Sequence, residues 1–395
     1  MNISVKSQFP SLLISIPKGV LDLGWGHPSP RLHPNEILKA AADKVLSQDS
    51  TPLQYGAIQG FGPLLESLTT FLSDDDSYRS CLLTPEHLFL TSGASQAVDF
   101  ASTLFAEDGD TVFVEDPTYY LISSIFRDHR MNIIGVPTDH LGLNVDALEA
   151  MLSDNSIAKP KFLYTMPSFQ NPTGSVMPPF RRKRLIELAR NYDFLILADE
   201  VYQLLYYGSP PPMPLAGFDT SESGCVLSIG SFSKILAPGL RLGWIHAQPN
   251  LIDRFKTAGM AVSGGGLNHF SSTLVQQTLF SGLLRDNIEK LKDTYSTRVD
   301  TMANSLLDYP SDFDYYPPTG GFFFWLTLKE EINTSDLLKH ASKNGVLYRP
   351  GMEFSPSNSF TDSLRLSFTL YESDNLAEAL KRLHISIEDY RHLNS

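Results

Sequence analysis

The densest chemistry in the chain lies in one stretch, Ser231-Phe232-Ser233-Lys234-Ile235-Leu236-Ala237-Pro238-Gly239-Leu240-Arg241-Leu242-Gly243-Trp244, which follows an apolar run. Here a lysine sits among small hydroxyl residues and glycine, with an arginine seven positions on. A lysine amine in a partly desolvated pocket has a lowered pKa and can form a Schiff base with a carbonyl. Ser231, Ser233 and Arg241 are suitable ligands for a phosphate. A lone Ser-x-Lys is more often a surface loop with a solvated lysine; the complete stretch favours chemistry.

Three further motifs each end an apolar run. In Ala198-Asp199-Glu200-Val201-Tyr202 a carboxylate stands at the carboxyl end of a strand, where parallel sheets place ligand-binding groups. The plainer alternative is a cap on the next helix. In Asn171-Pro172-Thr173-Gly174 proline and glycine make a rigid turn that fixes the Asn171 amide, and the proline rules out a glycosylation sequon. The alternative is an ordinary turn. In Thr91-Ser92-Gly93-Ala94-Ser95-Gln96-Ala97 a strand passes through small residues into a helix, whose free N–H groups and dipole suit an anion. A simple strand-to-helix connection reads the same way.

The elements that must position these residues are short apolar runs alternating with helical patterns. Candidate strands are Leu88–Thr91, Thr111–Glu115, Ile133–Val136, Lys161–Met166, Phe194–Asp199, Cys225–Ile229 and Leu242–His246. Nearly continuous apolar runs are how strands buried on both faces read. The pattern of Pro178–Tyr192 between two of them is helical. Strand–helix alternation predicts a parallel α/β sheet. The flanks differ. A helix is expected over Pro34–Leu46 with Asn35 as its N-cap, and a long helical segment over Phe270–Leu307. After it come a strand at Gly321–Leu328, a helix near Ser335–Asn344, a strand at Leu364–Thr369 and a helix at Asp374–Leu383. This predicts a smaller α+β domain at the C-terminus with the N-terminal segment packed on it. The expected division is 1–48, 49–270 and 271–395.

The composition bounds what such a chain can do. It has 395 residues, 42% of them hydrophobic and 19% charged, so it can bury a large core and global disorder is excluded. No apolar run approaches the roughly 20 residues of a membrane span. A net charge of −13 argues against nucleic acid and anionic membranes as partners. Two cysteines, Cys81 and Cys225, without CxxC or Cys/His spacing, predict neither a disulfide framework nor a metal site. The expected compartment is the cytoplasm. Lys6, the prolines around Leu12–Ile16 and Asp22 fit neither a secretory signal nor a transit peptide, and His392-Leu393-Asn394-Ser395 matches no terminal address.

Taken in order and spacing, the four motifs resemble the class I/II aminotransferases, pyridoxal-phosphate enzymes of fold type I. The resemblance runs from Leu23 to Leu383 and is nearest to the 2-aminoadipate, kynurenine and aromatic aminotransferase branch, with fungal 2-aminoadipate aminotransferase-like members. It implies a large domain with a mostly parallel seven-stranded sheet between helices, plus a smaller α+β domain. It also implies pyridoxal 5′-phosphate as cofactor and a homodimer. By resemblance, Lys234 holds the cofactor as an internal aldimine and later moves the substrate proton. Asp199 pairs with the pyridinium nitrogen, so that the ring accepts electrons. Tyr202 and Asn171 hydrogen-bond the phenolic oxygen, and Tyr119 stacks on the ring. Ala94, through its backbone, with Ser95, Ser231, Ser233 and Arg241 holds the phosphate; Tyr55 reaches the phosphate of the partner subunit. Arg365, in Ser363-Leu364-Arg365-Leu366-Ser367-Phe368, grips the α-carboxylate with its bidentate fork, beside Asn171. Gly26, in Gly24-Trp25-Gly26-His27-Pro28, lies over the substrate.

Ala94 stands where many relatives carry a hydroxyl residue. Arg31 and His27 are further candidate substrate contacts, and Pro210–Pro212 and Gly264–Gly266 are read as loops near the pocket mouth. The implied reaction is a ping-pong transfer from 2-aminoadipate or an aromatic amino acid to a 2-oxo acid, 2-oxoglutarate. The same scaffold also serves carbon–sulfur β-lyases and cyclopropane-forming synthases, and a non-catalytic sensor is a third reading. The sensor would need a DNA-binding domain that the residues before Tyr55 do not resemble.

Overall fold

All seven expected strands of the large sheet are present in the computed structural model, which describes residues 10 and 12–394. Lys6 and the rest of 1–9, which entered the reading of the N-terminus, lie outside the described residues, as does Ser395. Across the sheet the order is Leu88–Thr91, Gly243–His246, Val226–Ser231, Leu195–Asp199, Phe162–Thr165, Thr111–Asp116, Asn132–Asp139 and Gly142–Leu143. The last of these is an eighth strand the sequence did not suggest. It is two residues long and folds back antiparallel at the edge, through Gly142 at φ 86°. From Val226–Ser231 to Asn132–Asp139 all neighbours are parallel. Gly243–His246 alone among the long strands runs the other way.

Alternation explains why these strands read as continuous apolar runs. Successive side chains point to opposite faces. Val112, Val114, Phe162, Tyr164 and Leu197 enter one core; Phe113, Leu163, Ile196 and Ala198 enter the other. Both faces are covered, so no strand position can be polar without a partner. Each fully buried Leu, Ile or Phe here contributes about 1.5–3 kcal/mol.

The second sheet is antiparallel, in the order Phe313–Tyr315, Phe323–Leu328, Ser363–Ser367 and Arg349–Pro350. The N-terminal strand Leu21–Asp22 pairs in parallel with Val346–Leu347, and Ser367 donates its N–H to the Leu23 carbonyl at 2.7 Å. These bonds carry the Gly24–His27 segment to the strand that holds Arg365.

Helix boundaries shift in three places. Asn35 is the first residue of the helix Asn35–Gln48 rather than its N-cap; Pro34 takes the cap position and no side chain caps it. The segment expected as one long helix is two, His269–Phe280 and Leu283–Leu306, because Gly282 turns left-handed at φ 75°. The last helix runs to Asn394, well beyond Leu383. Asn333 caps the helix Thr334–Lys343 by accepting from the Ser335 N–H at 2.9 Å.

Candidate active site

Five loops leave the large sheet at one edge because the strands before them run the same way. They follow Thr91, Asp116, Thr165, Asp199 and Ser231. The carboxyl edge of a parallel sheet gathers chemistry from many parts of a chain. Here it gathers all four motifs.

Asp199 ends its strand fully buried. Oδ2 accepts from the Tyr164 hydroxyl at 2.7 Å, while Oδ1 is buried with no partner. Burial pushes its pKa up; the Tyr164 hydroxyl, the Val201 N–H and the Lys234 cation oppose that shift. An acceptor oxygen left open in a dry pocket is costly unless a donor meets it. Its neighbour Glu200 is the reverse case: it pairs with buried Arg182 at 3.2 Å and accepts from the Leu215 N–H at 3.0 Å. Adjacent carboxylates therefore point to opposite sides, one toward the cleft and one into a closed ion pair.

Lys234 Nζ donates to the Gly26 carbonyl at 3.1 Å and lies 5.2 Å from the Phe322 ring and 5.9 Å from the buried Tyr202 ring. Its pKa is brought down to about 8, first by burial; Asp199 opposes this, and Arg365 and Arg241 add to it. Near neutral pH such an amine is protonated but loses its proton readily, as nucleophilic and proton-moving chemistry requires.

Arg365 is buried on the small sheet. It donates to Asn171 Oδ1 at 2.7 Å and to the Gly24 carbonyl at 2.5 Å, and its Nε has no partner. Phe323 and Phe354 lie 3.9 and 4.8 Å from the guanidinium, and Tyr120 5.9 Å. Among the described residues no carboxylate pairs with it. Asn171 spends its oxygen on Arg365, which leaves its NH₂ as a donor. Gly26 is tight: a Cβ there would stand 2.5 Å from Phe323 Cζ.

The opposite end of the cleft is a cradle of backbone. The helix Ala94–Phe105 starts after Gly93, which offers no side-chain cap, so the Ala94 and Ser95 N–H groups are available. Gly93 stands at φ 89°, and a Cβ there would meet Arg241 Nη2 at 2.8 Å; only glycine lets the guanidinium lie so close. Arg241 donates to the Ser92 carbonyl at 3.3 Å. Ser231 Oγ accepts from the Ser233 N–H at 3.1 Å. Tyr119 lies between the two ends. Burial pushes its hydroxyl up to about 12, and Asp199, Arg365 and Arg241 all act on it.

Two candidates stand apart. Tyr55 is 89% exposed, next to Gly56, which bridges to Gly266. The Gly264–Gly266 triplet therefore closes the Tyr55–Gly60 loop: a Cβ at Gly266 would overlap the Ala57 carbonyl. Arg31 is exposed, 3.9 Å from Glu372, and is not among the groups around Lys234 and Arg365. His27 is close to both; burial lowers its pKa, with Lys234 and Arg365 adding to the shift, and Nδ1 is buried without a partner.

Sequence reading missed several neighbours. Tyr164 hides in a strand run. Glu115 accepts from Thr165 at 2.5 Å, from the Met166 N–H at 3.1 Å and from Gln170 at 3.0 Å. Gln170 also donates to the Pro117 carbonyl at 2.7 Å and accepts from Thr173. Glu115 thus ties the Tyr119 loop to the Asn171 turn. The residue before Asn171 was a legible signal, since a glutamine in a tight turn can bond its own backbone. Arg349, opposite Arg365, had no motif at all.

Comparison with known proteins agrees with this geometry. The family described as "Aminotransferase class I and II" matches residues 18–383. The aromatic-amino-acid aminotransferase 1 of Thermococcus litoralis is 36% identical over 94% of this chain and 88% of its own length. The kynurenine aminotransferase of Pyrococcus horikoshii, solved with PMP, is 32% identical, covers 94% of this chain and 91% of its own, and superposes with a TM-score of 0.86. The α-aminoadipate aminotransferase of Thermus thermophilus, solved with N-(5′-phosphopyridoxyl)-L-leucine, is 29% identical over 95% of this chain and 94% of its own, with a TM-score of 0.84. The donor set fits such a cofactor: an open Asp199 oxygen for a ring N–H, an amine of lowered pKa for an aldehyde, and uncapped N–H groups beside Arg241 for a phosphate. This chain belongs to the class I and II aminotransferases, and it is a pyridoxal-phosphate-dependent enzyme.

Proposed function

We propose that the enzyme moves the amino group of a large α-amino acid, 2-aminoadipate or an aromatic one, to a 2-oxo acid, with 2-oxoglutarate as acceptor, in a ping-pong sequence. The observation that carries this is Arg365: a buried guanidinium with an unpartnered Nε, walled by Phe323, Phe354 and Tyr120. It offers an anchor for an α-carboxylate beside an aromatic surface for a large side chain. The names of the aromatic and α-aminoadipate relatives support the same reading.

When bound, pyridoxal phosphate supplies an electron sink that acidifies the substrate Cα–H. The rest of the work falls to this chain. Asp199 Oδ1 would take the ring N–H and hold its charge; Tyr164 fixes the carboxylate. Tyr202 and the Asn171 NH₂ would donate to the phenolic oxygen of the cofactor, and Tyr119 would cover the ring. Ala94 and Ser95 N–H, Ser231, Ser233 and Arg241 would hold the phosphate. Lys234 Nζ would anchor the cofactor and, when free, would carry the proton from Cα. Gly26 leaves room above the substrate while its carbonyl orients Nζ. Burial of Arg365 and Lys234 excludes water, which strengthens each charge interaction.

A homodimer belongs to this proposal. Its support is exposed Tyr55, together with the exposed apolar residues Leu53, Met260, Val262 and Phe280. So does the division of the chain at 48/49 and 270/271; the eight-stranded sheet lies wholly within the second part and the four-stranded sheet wholly within the third. A cytoplasmic location rests on two free cysteines; among the described residues no helix is long and apolar enough to cross a membrane. The test is an amino-acid panel on the pyridoxal-phosphate enzyme, read as loss of its cofactor absorbance, then as return of absorbance with 2-oxoglutarate. Reaction with alanine or ω-amino donors alone would overturn the substrate class.

A further inference from the structure

We propose that Arg349 reads a second carboxylate on the substrate, which makes the cleft a two-cation site for dicarboxylic amino and 2-oxo acids. The inference rests on the reading of Arg365 as the α-carboxylate anchor and supplies the distal contact for which Arg31 is misplaced.

The sheet register carries the argument. Arg349 and Arg365 are directly opposite on neighbouring antiparallel strands. Opposite residues project from the same face with Cβ atoms roughly 5 Å apart, and like charges so placed repel. Among the described residues the two guanidiniums have between them a single carboxylate, Glu353, 3.4 Å from Arg349 and half-exposed. Arg365 has none, and its Nε is buried and unpartnered. A repelling pair left short of anions inside a cleft is relieved by a ligand that brings two.

Arg349 is also held where a substrate side chain would pass. Its guanidinium stacks 4.5 Å from the Trp25 ring and 5.6 Å from the Tyr120 ring, the same ring that lies 5.9 Å from Arg365. Its stem rests on Gly24, where an added Cβ would meet Arg349 Cγ at 3.4 Å. Gly24 is the residue whose carbonyl holds Arg365. One ring and one glycine thus join the two cations, and Trp25 covers the Arg349 guanidinium without neutralising it. An aromatic donor would stack on the Trp25 and Tyr120 faces instead, so one cleft can serve both classes.

The test compares two unreactive competitive ligands on the holoenzyme, glutarate with two carboxylates and 3-phenylpropanoate with one. In Arg349→Ala the inhibition constant for glutarate should rise about 10- to 100-fold, the loss of one charged hydrogen-bond pair. That for 3-phenylpropanoate should change much less, so the selectivity falls by nearly the same factor. Arg349→Lys should recover most of the glutarate binding, and Glu353→Gln should tighten it by removing the competing carboxylate. Equal weakening of both ligands, or no weakening of either, overturns the proposal. Loss of glutarate binding in Arg365→Ala but not in Arg349→Ala also overturns it, while leaving the anchor role of Arg365 intact. A wild-type enzyme that transaminates neither 2-aminoadipate nor phenylalanine would instead refute the proposed substrate reading; Arg349 would still be judged by glutarate.

Discussion

The cofactor end of the cleft hangs from the large sheet, whereas the carboxylate end is assembled from pieces far apart in the chain. Asp199 and Tyr164 are strand residues whose backbones are locked between parallel neighbours, and Ser231 ends the next strand, paired with Gly243 of an antiparallel one. Arg365 instead owes its place to Gly24, 341 residues away, and to Asn171, 194 away; Lys234 owes its orientation to Gly26, 208 away. The cofactor end is thus preorganised by local strand geometry, and the carboxylate end by contacts that exist only in the closed fold. A rigid end suits a group that never leaves. An end made of separate segments suits substrates that come and go and differ in shape.

Lys234→Ala should lower turnover by about 10⁴-fold, the upper range for a positioned proton carrier. It should also abolish the borohydride-reducible link to the cofactor while leaving the fold intact by circular dichroism. A variant that turned over normally would sink the assignment of Lys234. Asp199→Asn should cost about 10²–10³-fold in the single-turnover rate with a good donor, because an amide cannot hold the charge of the ring N–H. An unchanged rate would leave Asp199 with only its turn-capping role.

At the carboxylate end the loss should fall on binding. Arg365→Lys keeps a cation but loses the fork, and KM for every donor should rise about 10²-fold with a smaller change in kcat. A pure kcat effect would mean that Arg365 only supports the fold. Gly26→Ala forces a Cβ against Phe323, and the ring must shift. About a tenfold rise in KM is expected, with cofactor affinity unchanged, since the two ends are separately built. A joint loss of cofactor would contradict that separation.

The smallest effect tests the joint between the ends. Burial pushes the Glu115 carboxyl up from 4.5 to about 7, against the hydrogen bonds from Thr165, Gln170 and Met166. Between those pH values the folded protein keeps a proton that the unfolded chain has released. Stability therefore falls as pH rises from about 4.5 to 7, by on the order of 3 kcal/mol, and levels off above. Glu115→Gln should flatten that part of a Tm-against-pH profile of the holoenzyme. An unchanged profile would show that Glu115 is ionised throughout.

Much of the cofactor end was legible because its residues are local in sequence. Lys234 and Arg241 share one loop, Gly93 and Ala94 one strand-to-helix turn, and Asp199 closes a strand of four apolar positions. Alternating burial on both faces made the seven strands readable as a parallel α/β sheet. The two-residue edge strand and the break at Gly282 were not legible, since a pair of residues carries no period and a glycine within a helical pattern does not declare its φ. What the sequence by itself determined was the set of elements, the chemical groups and the end of the sheet at which they gather. Tertiary structure alone decided which of those groups are charged, paired or open. The Asp199 and Glu200 side chains are adjacent in sequence, yet only Asp199 keeps an open oxygen. Arg31 and Arg349 are both plain arginines in the sequence, yet only Arg349 stands opposite Arg365. Strand register and burial set those differences, and both depend on pairings that the local sequence does not declare: Arg182 meets Glu200 across 18 positions and Tyr164 meets Asp199 across 35.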